Sequence, residues 1–540
     1  MLKLLVALLS ISVYVYAEIS LEYITSKPKS RSKDFMIWQY LNQNITASQA
    51  DIAYSQVKNT NNNKIFYRYA KKTNDKNVKS KLKCKKEKNL LSITEEECLK
   101  LAYSPKKSIH YTKKQRKKLV NSLKDEDLIC LIDIQNEPNT QKAYENYSAN
   151  TFLDFFNKVG YKYRNKNLNI LLNEKFLNNL CTSSKVSQFI KTTVNTNGLY
   201  NLQRSLLNAN GEFLDSTSNF FLAINHLNYN NETKAMEFFS LSKEKATTRI
   251  NRDKNDFWQY QVSKDKDYLK KLLKSKDINI YTLYARELLK TDTTNYFHKV
   301  KINENNSETS LNNPFHWDEI YEEIKQTPEE ELFILANKYN QKNMLPAQAY
   351  ILQKANKYNI HAYVMPYDRY LKGASSHDKA IIYALMRQES HLIPSALSHS
   401  FAQGLMQMMP FVTNAISKEI RNPINNLNEM FEPENNLRYA KHHLKWMKRS
   451  LYHPLFIAYA YNGGMGFFKR YLLNNKFKKG KYEPFLSMEM MSNTESREYG
   501  KKVLANYVIY KKILGEKVSI VDLFDSLMQP KKTDRFRSSK

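Results

Sequence analysis

Glycine and proline are scarce in this chain, with 11 glycines and 14 prolines in 540 residues. Because these residues mark most tight turns, their scarcity predicts long helices joined by short connections. A composition of 42% hydrophobic and 25% charged residues is typical of a globular chain rather than a disordered one. The length excludes a single compact core, so we expect two or three domains.

Cysteine is also scarce, and none of the four residues has the C-x-x-C spacing of a zinc or redox site. Structural roles are therefore favoured. Four cysteines allow three disulfide pairings. Sequence proximity alone favours Cys84–Cys98 together with Cys130–Cys181, and such bridges suit an exported protein.

Long hydrophobic runs are missing after the N-terminus, so no transmembrane helix is predicted. Residues 1–17 contain Lys3, an apolar run from Leu4 to Val15, and the small residue Ala17. This pattern is typical of a secretory signal peptide cleaved before Glu18, and the run is too short to span a bilayer. No cysteine lies near the cleavage site to carry a lipid anchor. We therefore expect an exported, soluble mature protein.

The most informative carboxylate is Glu389. Ser375 followed by Asp378 predicts a helix start, and Pro394 limits how far that helix can continue. Glu389 shares one helix face with Ile382, Leu385 and Met386, so it belongs to an apolar stripe near the helix end. Desolvation and the unpaired carbonyls of the last turn both favour the protonated carboxyl. Such a group is suited to general acid catalysis, although an isolated glutamate at a helix end is usually structural.

Five segments in fixed order change this interpretation: Glu389-Ser390, Gly404-Leu405-Met406-Gln407, Pro433-Glu434-Asn435-Asn436-Leu437, Ala460-Tyr461-Asn462-Gly463-Gly464 and Glu495-Ser496-Arg497-Glu498-Tyr499. Together they resemble the active-site signature of the soluble lytic murein transglycosylases, goose-lysozyme-like enzymes that cut the glycan strands of bacterial peptidoglycan. The resemblance covers about 371–515. It differs at Phe401, where the family usually has glycine, and at Gly463, where it has alanine. Phe401 is expected to narrow or reshape the groove.

The resemblance implies that Glu389 is the sole catalytic acid/base and that Ser398 places its hydroxyl beside it. The other implied substrate-binding residues are Gln407, Met409, Tyr461, Asn462, Glu495 and Tyr499. Hydroxyl, amide and carboxylate groups give a sugar groove its directional hydrogen bonds, while aromatic and methionine side chains cover sugar faces. No metal or cofactor site is predicted, since the adjacent His442 and His443 cannot share a helix face.

An all-α fold is expected, with the family's ring-like architecture. Residues 18–312 would form an N-terminal helical superhelix, 313–370 a helical linker domain, and 371–540 a lysozyme-like, mainly α catalytic domain. Catalytic groups are expected only in the last domain. A fragment beginning near Phe315 would then still cleave short soluble glycans.

The resemblance implies cleavage of the β-1,4 bond between MurNAc and GlcNAc in the periplasm, with formation of 1,6-anhydroMurNAc. Two alternatives stay open: a goose-type hydrolase of the same bond, and a non-catalytic peptidoglycan-binding scaffold. Intact Glu389 argues against the scaffold.

The formal net charge is +31, which predicts attraction to polyanions. Export argues against nucleic acid as the partner. The peptidoglycan strands, whose peptide stems carry carboxylates, are the expected anionic partner, and peripheral contact with the cell wall or outer membrane is compatible with this charge. Compositional bias toward lysine explains the charge equally well. Protein partners are not indicated.

Overall fold

The chain was analysed as a computed structural model that describes residues 19–538, and these residues are predominantly helical. The predicted all-α class is confirmed. The signal peptide predicted at 1–17 lies outside the described residues. Within residues 19–538, no helix is both long enough and apolar enough to cross a bilayer.

The α-helices fall into four successive groups. The first group comprises α1 Leu21–Ser26, α2 Arg31–Tyr40, α3 Ala47–Ser55, α4 Asn63–Lys72, α5 Lys76–Lys86, α6 Glu96–Ala102, α7 Pro105–Ser108, α8 Lys113–Val120, α9 Glu126–Asp133 and α10 Gln141–Tyr144. The second comprises α11 Ala149–Lys158, α12 Tyr161–Tyr163, α13 Glu174–Cys181, α14 Val186–Asn195, α15 Tyr200–Ser205, α16 Ser216–Asn228, α17 Glu232–Glu244, α18 Arg249–Ser263, α19 Lys266–Leu273 and α20 Ile280–Leu288.

The third and fourth groups contain the linker and the region that resembles a catalytic domain. The third comprises α21 Pro314–Gln326, α22 Leu332–Lys338, α23 Leu345–Ala355 and α24 Ser376–Ser390. The fourth comprises α25 Pro410–Ser417, α26 Pro433–Lys448, α27 Pro454–Gly463, α28 Met465–Leu473, α29 Phe485–Glu489, α30 Thr494–Ile513, α31 Ile520–Ser526, α32 Pro530–Thr533 and α33 Arg535–Ser538.

Short 3₁₀ segments and one small sheet complete the secondary structure of the described residues. The 3₁₀ segments are Leu90–Ser92, Ile134–Asn136, Leu206–Asn208, Glu329–Glu331, Lys342–Met344, Asp368–Leu371 and Leu427–Phe431, and a π-helical turn covers Arg164–Leu168. Strand β1, Tyr296–Phe297, pairs in parallel with β2, His361–Ala362, with Tyr296 opposite His361. This pairing joins the end of the second helical group to the segment between α23 and α24 in the third.

The expectation of long helices is wrong for most of the chain, because many helices have fewer than twelve residues. Serine, threonine, asparagine and aspartate mark where many of these helices begin. Ser30, Thr46, Asn62 and Asp75, for example, each cap a helix by accepting a hydrogen bond from a backbone N–H in its first turn. These side chains compete for backbone donors and favour helix starts, so a chain poor in glycine can still be divided into short helices.

Only one of the two expected disulfides is present. Cys84 on α5 is bonded to Cys98 on α6, two helices that pack together. Cys130 and Cys181 are free thiols, so the expected Cys130–Cys181 bridge is wrong. Cys130 lies in α9, while Cys181 ends α13 and packs against the main hydrophobic core. Sequence order did not predict which helices become neighbours.

The main hydrophobic core is continuous from the second helical group into the fourth. A buried polar contact reinforces this junction. The Tyr281 hydroxyl of α20 donates to Glu489 Oε1 at 2.8 Å, and Lys501 Nζ of α30 lies 2.9 Å from Glu489 Oε2. Lys501 and Glu489 are 1% and 2% exposed, so each charge requires the other for compensation. The superhelical region and the region that resembles a catalytic domain therefore share one core.

A second hydrophobic core joins the first helices of the chain to later segments. It contains Phe35 of α2 and other side chains from residues 24–69, together with Phe315, Leu397, Phe401 and Phe431. The Phe401 ring lies 5.5 Å from that of Phe35 and 5.3 Å from that of Trp38, measured between ring centroids. The first helices of the chain thus pack directly on a loop that follows α24.

Phe401→Ala should loosen this closure because Phe401 is 0% exposed, and removing a buried phenylalanine side chain costs about 3–5 kcal/mol. We expect a loss of about that size in the local opening free energy of the amides of residues 397–403, measured by native-state hydrogen exchange. The control is Phe411→Ala, at a side chain that is 69% exposed. Equal effects of the two substitutions would contradict the assigned role of Phe401.

Candidate active site

Glu389 lies in the last turn of α24, as predicted. The helix begins after Ser375, whose hydroxyl accepts a hydrogen bond from the Asp378 N–H at 3.1 Å, and it ends at Ser390. His391 follows with a φ of 50°, in the left-handed region, and stops the helix. The predicted apolar stripe on α24 is buried, so Glu389 emerges at the edge of a hydrophobic surface.

Helix α30 supplies the direct partner of this carboxyl group. The Tyr499 hydroxyl donates to Glu389 Oε1 at 2.7 Å. Tyr461 of α27 approaches from another side, and its hydroxyl donates to the Met406 carbonyl at 2.7 Å. Burial raises the pKa of Tyr461 well above its ordinary value, and the charge of Glu389 adds to the rise. Both phenols are therefore protonated donors that hold the surroundings of Glu389 in place.

The electrostatics keep Glu389 protonated well above the ordinary range of a carboxylic acid. Burial among protein atoms raises the pKa of Glu389 from 4.5 to about 7, and the negative charge of Glu495 acts in the same direction. The hydrogen bond from Tyr499 opposes this rise because it stabilises the carboxylate. A pKa near neutrality allows the same group to give up and recover a proton, as an acid/base catalyst requires.

The loop after α24 places two of the predicted residues at the same cleft. Gln407, at a φ of 45°, donates through Nε2 to the carbonyls of Ala396 and Gly404, both at 2.9 Å. Ser398 Oγ accepts hydrogen bonds from the N–H groups of Ser400 and Ala402 within its own turn. Ser398 thus shares the cleft with Glu389, while its recorded hydrogen bonds stabilise the loop.

The remaining predicted residues are divided between two places. Asn462 Nδ2 donates to Glu495 Oε1 at 3.1 Å, and the Glu495 charge acts on Glu389, so this pair belongs to the acid's surroundings. Met409 instead lines a separate cleft of about 340 Å³ with Trp38 and Phe411, among other residues. Met409 and Glu389 are therefore not in one pocket.

A cleft of about 840 Å³ opens over Glu389, and both the first helical group and the linker helices contribute to its walls. Lys29, Arg31 and Lys58 come from the first helical group, whereas Trp317 and Tyr350 come from the linker helices. Residues from before the region that resembles a catalytic domain therefore line the cleft, while the expectation that catalytic groups lie only in the last domain stays a prediction. Periodicity could not identify these residues, because exposed lysines occur along the whole chain.

Phe401 does not narrow the groove, contrary to expectation. Its φ is 63° and its ring is fully buried in the core formed by the first helices. Hydrogen bonds hold the same loop: Arg31 Nη1 donates to the Leu397 carbonyl at 2.8 Å and Lys64 Nζ to the Ser400 carbonyl at 2.6 Å. An apolar residue in an otherwise polar turn was the only sequence signal of this contact.

In the described part of the chain, no three histidine, cysteine or acidic side chains lie close enough together to hold a metal ion. His442 Nε2 pairs with Glu419 Oε2 at 2.9 Å, and the His443 ring stacks on Trp446. These two histidines thus have separate local partners.

Residues 368–483 of this helical chain match the family model described as "Transglycosylase SLT domain". The sequence is also similar to those of soluble lytic murein transglycosylases. The protein of that name from Salmonella typhimurium strain LT2 is 28% identical over 162 residues, which are 30% of this chain and 24% of the Salmonella protein. A putative soluble lytic murein transglycosylase of Haemophilus influenzae is 29% identical over 177 residues, 32% of this chain and 29% of that protein. The match thus spans about a quarter of the length of these relatives.

Solved structures extend the likeness of the fold over most of the chain. The lytic transglycosylase Slt of Pseudomonas aeruginosa, crystallised as an inactive mutant, has a TM-score of 0.52 at 14% identity, covering 91% of this chain and 83% of that one. The 70-kDa soluble lytic transglycosylase in complex with bulgecin A has a TM-score of 0.50 at 15% identity, covering 92% and 88%. At these identities the likeness establishes the fold, including its superhelical part.

Glu389→Gln should stabilise the folded protein at alkaline pH. Because the pKa of Glu389 is higher in the folded state, folded protein binds its proton more tightly, and stability falls as pH rises from about 4.5 to about 7. Glutamine removes this penalty, so we expect a gain of roughly 3 kcal/mol at pH 8 and almost none at pH 4. Chemical denaturation of both proteins at the two pH values measures it. A gain independent of pH would contradict the raised pKa.

Proposed function

We propose that the protein is a periplasmic lytic transglycosylase that cleaves the β-1,4 bond between MurNAc and GlcNAc in peptidoglycan. The observation that carries this proposal is Glu389, a single carboxyl group with a pKa of about 7 at the edge of a large cleft. The Transglycosylase SLT domain match over 368–483 supports the reaction class. Export is proposed from the signal-peptide pattern of residues 1–17.

In the proposed reaction, the protonated Glu389 gives its proton to the glycosidic oxygen while the bond from that oxygen to C1 of MurNAc breaks. The acetamido carbonyl of the same sugar stabilises the cationic C1. The Glu389 carboxylate then removes the proton from the C6 hydroxyl, whose oxygen bonds to C1 and closes the 1,6-anhydro ring. Glu389 is thereby returned to its protonated form, and no water is consumed.

Residues around the acid have separable roles in this proposal. Tyr499 orients the carboxyl and stabilises it during the interval in which it is ionised, because its hydroxyl donates to Oε1. Burial keeps the resting pKa of Glu389 high, and the charge of Glu495, which is held by Asn462, adds to the rise. Gln407 is committed through its amide to two loop carbonyls, so it shapes the groove wall more than it offers free donors.

Hydrolysis of the same bond is the second candidate, and Glu495 is the observation that favours it. A hydrolase requires a second carboxylate to act on water or on C1. Glu495 is exposed and close enough to raise the pKa of Glu389. The intramolecular C6 hydroxyl has the advantage of a high effective concentration, which favours the transglycosylase reaction.

Glu389→Gln should abolish turnover because glutamine retains the shape of the side chain but has no proton to give. We expect the release of muropeptides to fall by at least about 10²–10⁴-fold. Glu419→Gln, at an exposed glutamate paired with His442, is the matched control.

Mass spectrometry of the wild-type digest tests the reaction type. Anhydro products weigh one water less than hydrolysis products, and reducing-end MurNAc would identify the protein as a hydrolase.

Tyr499→Phe should shift the alkaline limb of the pH–rate profile upward. The lost hydrogen bond stabilised the ionised carboxyl, so the pKa of Glu389 should rise by about 0.5–1 unit, the equivalent of a hydrogen bond worth about 1 kcal/mol. The control is Tyr507→Phe on the same helix, where the hydroxyl bonds to His377 instead. A downward shift, or equal shifts in both variants, would be inconsistent with the proposed contact.

A further inference from the structure

A further pocket lies against the first half of α24, apart from the cleft over Glu389. It has a volume of about 400 Å³ and is formed between α24 and the end of α26. No described residue lines both this pocket and the cleft. Ile382 lines the pocket, and Glu389 follows it about two helical turns later, roughly 10 Å along α24. A molecule bound here would therefore leave the cleft over Glu389 open.

The floor of this pocket is apolar. Ile381, Ile382 and Leu444 are 1%, 3% and 4% exposed, so they form a narrow hydrophobic surface between the two helices. The methylene chains of Lys441 and Lys445 lie at its sides, since long cationic side chains need to keep only their charged ends in water. A surface of this size suits one or two apolar side chains of a ligand, whose burial contributes about 25 cal/mol for each Å² removed from water.

The rim of the pocket is cationic, because Lys441, Lys445, Lys448 and Arg449 all line it. Lys448 pairs with Asp378, which is the one carboxylate among the described residues that line this pocket. Lys441 donates to a backbone carbonyl and, like Lys445 and Arg449, forms no salt bridge in the described part of the chain. Three positive charges at the rim are therefore not neutralised by the protein.

The helix dipole explains only part of this arrangement. Lys445 and Lys448 lie in the last turn of α26, where cations interact favourably with the unpaired carbonyls. Lys441 lies one turn earlier, and its spacing places it on the same helix face as the other two. The dipole also does not require an apolar pocket beside the cations. The two features together fit a ligand that has several negative charges and an apolar part.

The length of the cationic rim distinguishes between ligands of this kind. Lys441 and Arg449 are separated by about 12 Å along the helix, which is the length of about four residues of extended peptide. A single lipid headgroup presents one phosphate over that distance, and a flat membrane surface does not reach the floor of a pocket between two helices. An acidic peptide presents several carboxylates along this length and inserts an apolar side chain between them.

We propose that the pocket between α24 and α26 is a docking site for an acidic segment of another protein. Its carboxylates would bind Lys445 and Arg449, and an apolar side chain would pack on Ile382 and Leu444. The inference goes beyond the proposed function and does not depend on the reaction. Because the pocket and the cleft over Glu389 are separate, the docked partner and a glycan strand can occupy the protein simultaneously.

Fluorescence anisotropy with two labelled six-residue probes tests the proposal on the full chain. One probe has the sequence Glu-Glu-Leu-Leu-Glu-Glu, and the other has serine in place of both leucines and therefore the same charge. We expect the wild-type protein to bind the leucine probe about tenfold more tightly, because only that probe buries apolar side chains on the floor of the pocket.

Two pairs of substitutions test the cations. Lys445→Glu with Arg449→Glu should weaken binding of the leucine probe about tenfold, since two partly exposed attractions become repulsions. Lys445→Gln with Arg449→Gln should weaken it less, and this variant adds no carboxylate to the end of α26. Lys114→Glu with Lys118→Glu on α8 is the control. It makes the same charge change outside the pocket, and at about 0.15 M salt distant charges are screened, so its affinity should match that of the wild type.

Three results with the peptide probes would each overturn the proposal: no binding of the leucine probe at about 1 mM, equal affinities for the two probes, or an equal fall in affinity in the α8 control. Vesicles of phosphatidylglycerol test the competing ligand. If they bind the wild-type protein and not Lys445→Glu/Arg449→Glu, while the leucine probe does not bind, the pocket recognises a lipid surface and the proposed peptide ligand is wrong.

Discussion

The packing of α24 on α30 is the interaction on which the site depends. Arg387 of α24 donates to Asn506 of α30 at 2.9 Å, to the Ala362 carbonyl of β2 at 2.8 Å and to Gln353 of α23 at 2.9 Å. One guanidinium thus fixes the acid-bearing helix against the linker and the last long helix simultaneously. With that register set, the Tyr499 hydroxyl reaches Glu389. Burial of the carboxyl group by the same packing raises its pKa to about 7.

The second constraint is closure by the first helices. Phe401 and Leu397 insert into a core made largely from residues 24–69, and Arg31 and Lys64 bind the carbonyls of the same loop. The loop between Glu389 and Gln407 is therefore held by the N-terminal helices of the chain. A superhelix that only presented the enzyme to its substrate would not need this contact. Here it forms one wall of the cleft in which the reaction is proposed to occur.

Sequence analysis identified the local features of the site well, because they are encoded locally. The N-cap Ser375, the apolar stripe and the position of Glu389 all follow from spacing within one helix. The partner of the acid, Tyr499, was placed in the groove through the order of the motifs. Contacts between distant segments were not predictable. The lysine and arginine side chains that line the cleft, the burial of Phe401 and the free state of Cys130 all depend on which helices become neighbours. Short-range patterns do not contain that information.

Helix length was misjudged for a related reason. The scarcity of glycine and proline predicts long, uninterrupted helices. Side-chain caps such as Asn62 and Asp75 nevertheless begin new helices every few residues. Packing between consecutive short helices then builds the superhelix, so the lengths follow from capping chemistry and not from an absence of turn residues.

The contact between the first helices and the loop after α24 has a consequence for how the chain folds. Arg31 and the Leu397 carbonyl to which it donates are 366 residues apart. At a synthesis rate of about 5–20 residues per second, the first helices wait roughly 20–70 s before their partner loop exists. During that time, Phe35 and its neighbours have an incomplete apolar face. The active-site cleft is accordingly among the last parts of the molecule to assemble, and an incompletely synthesised or truncated chain has no finished groove.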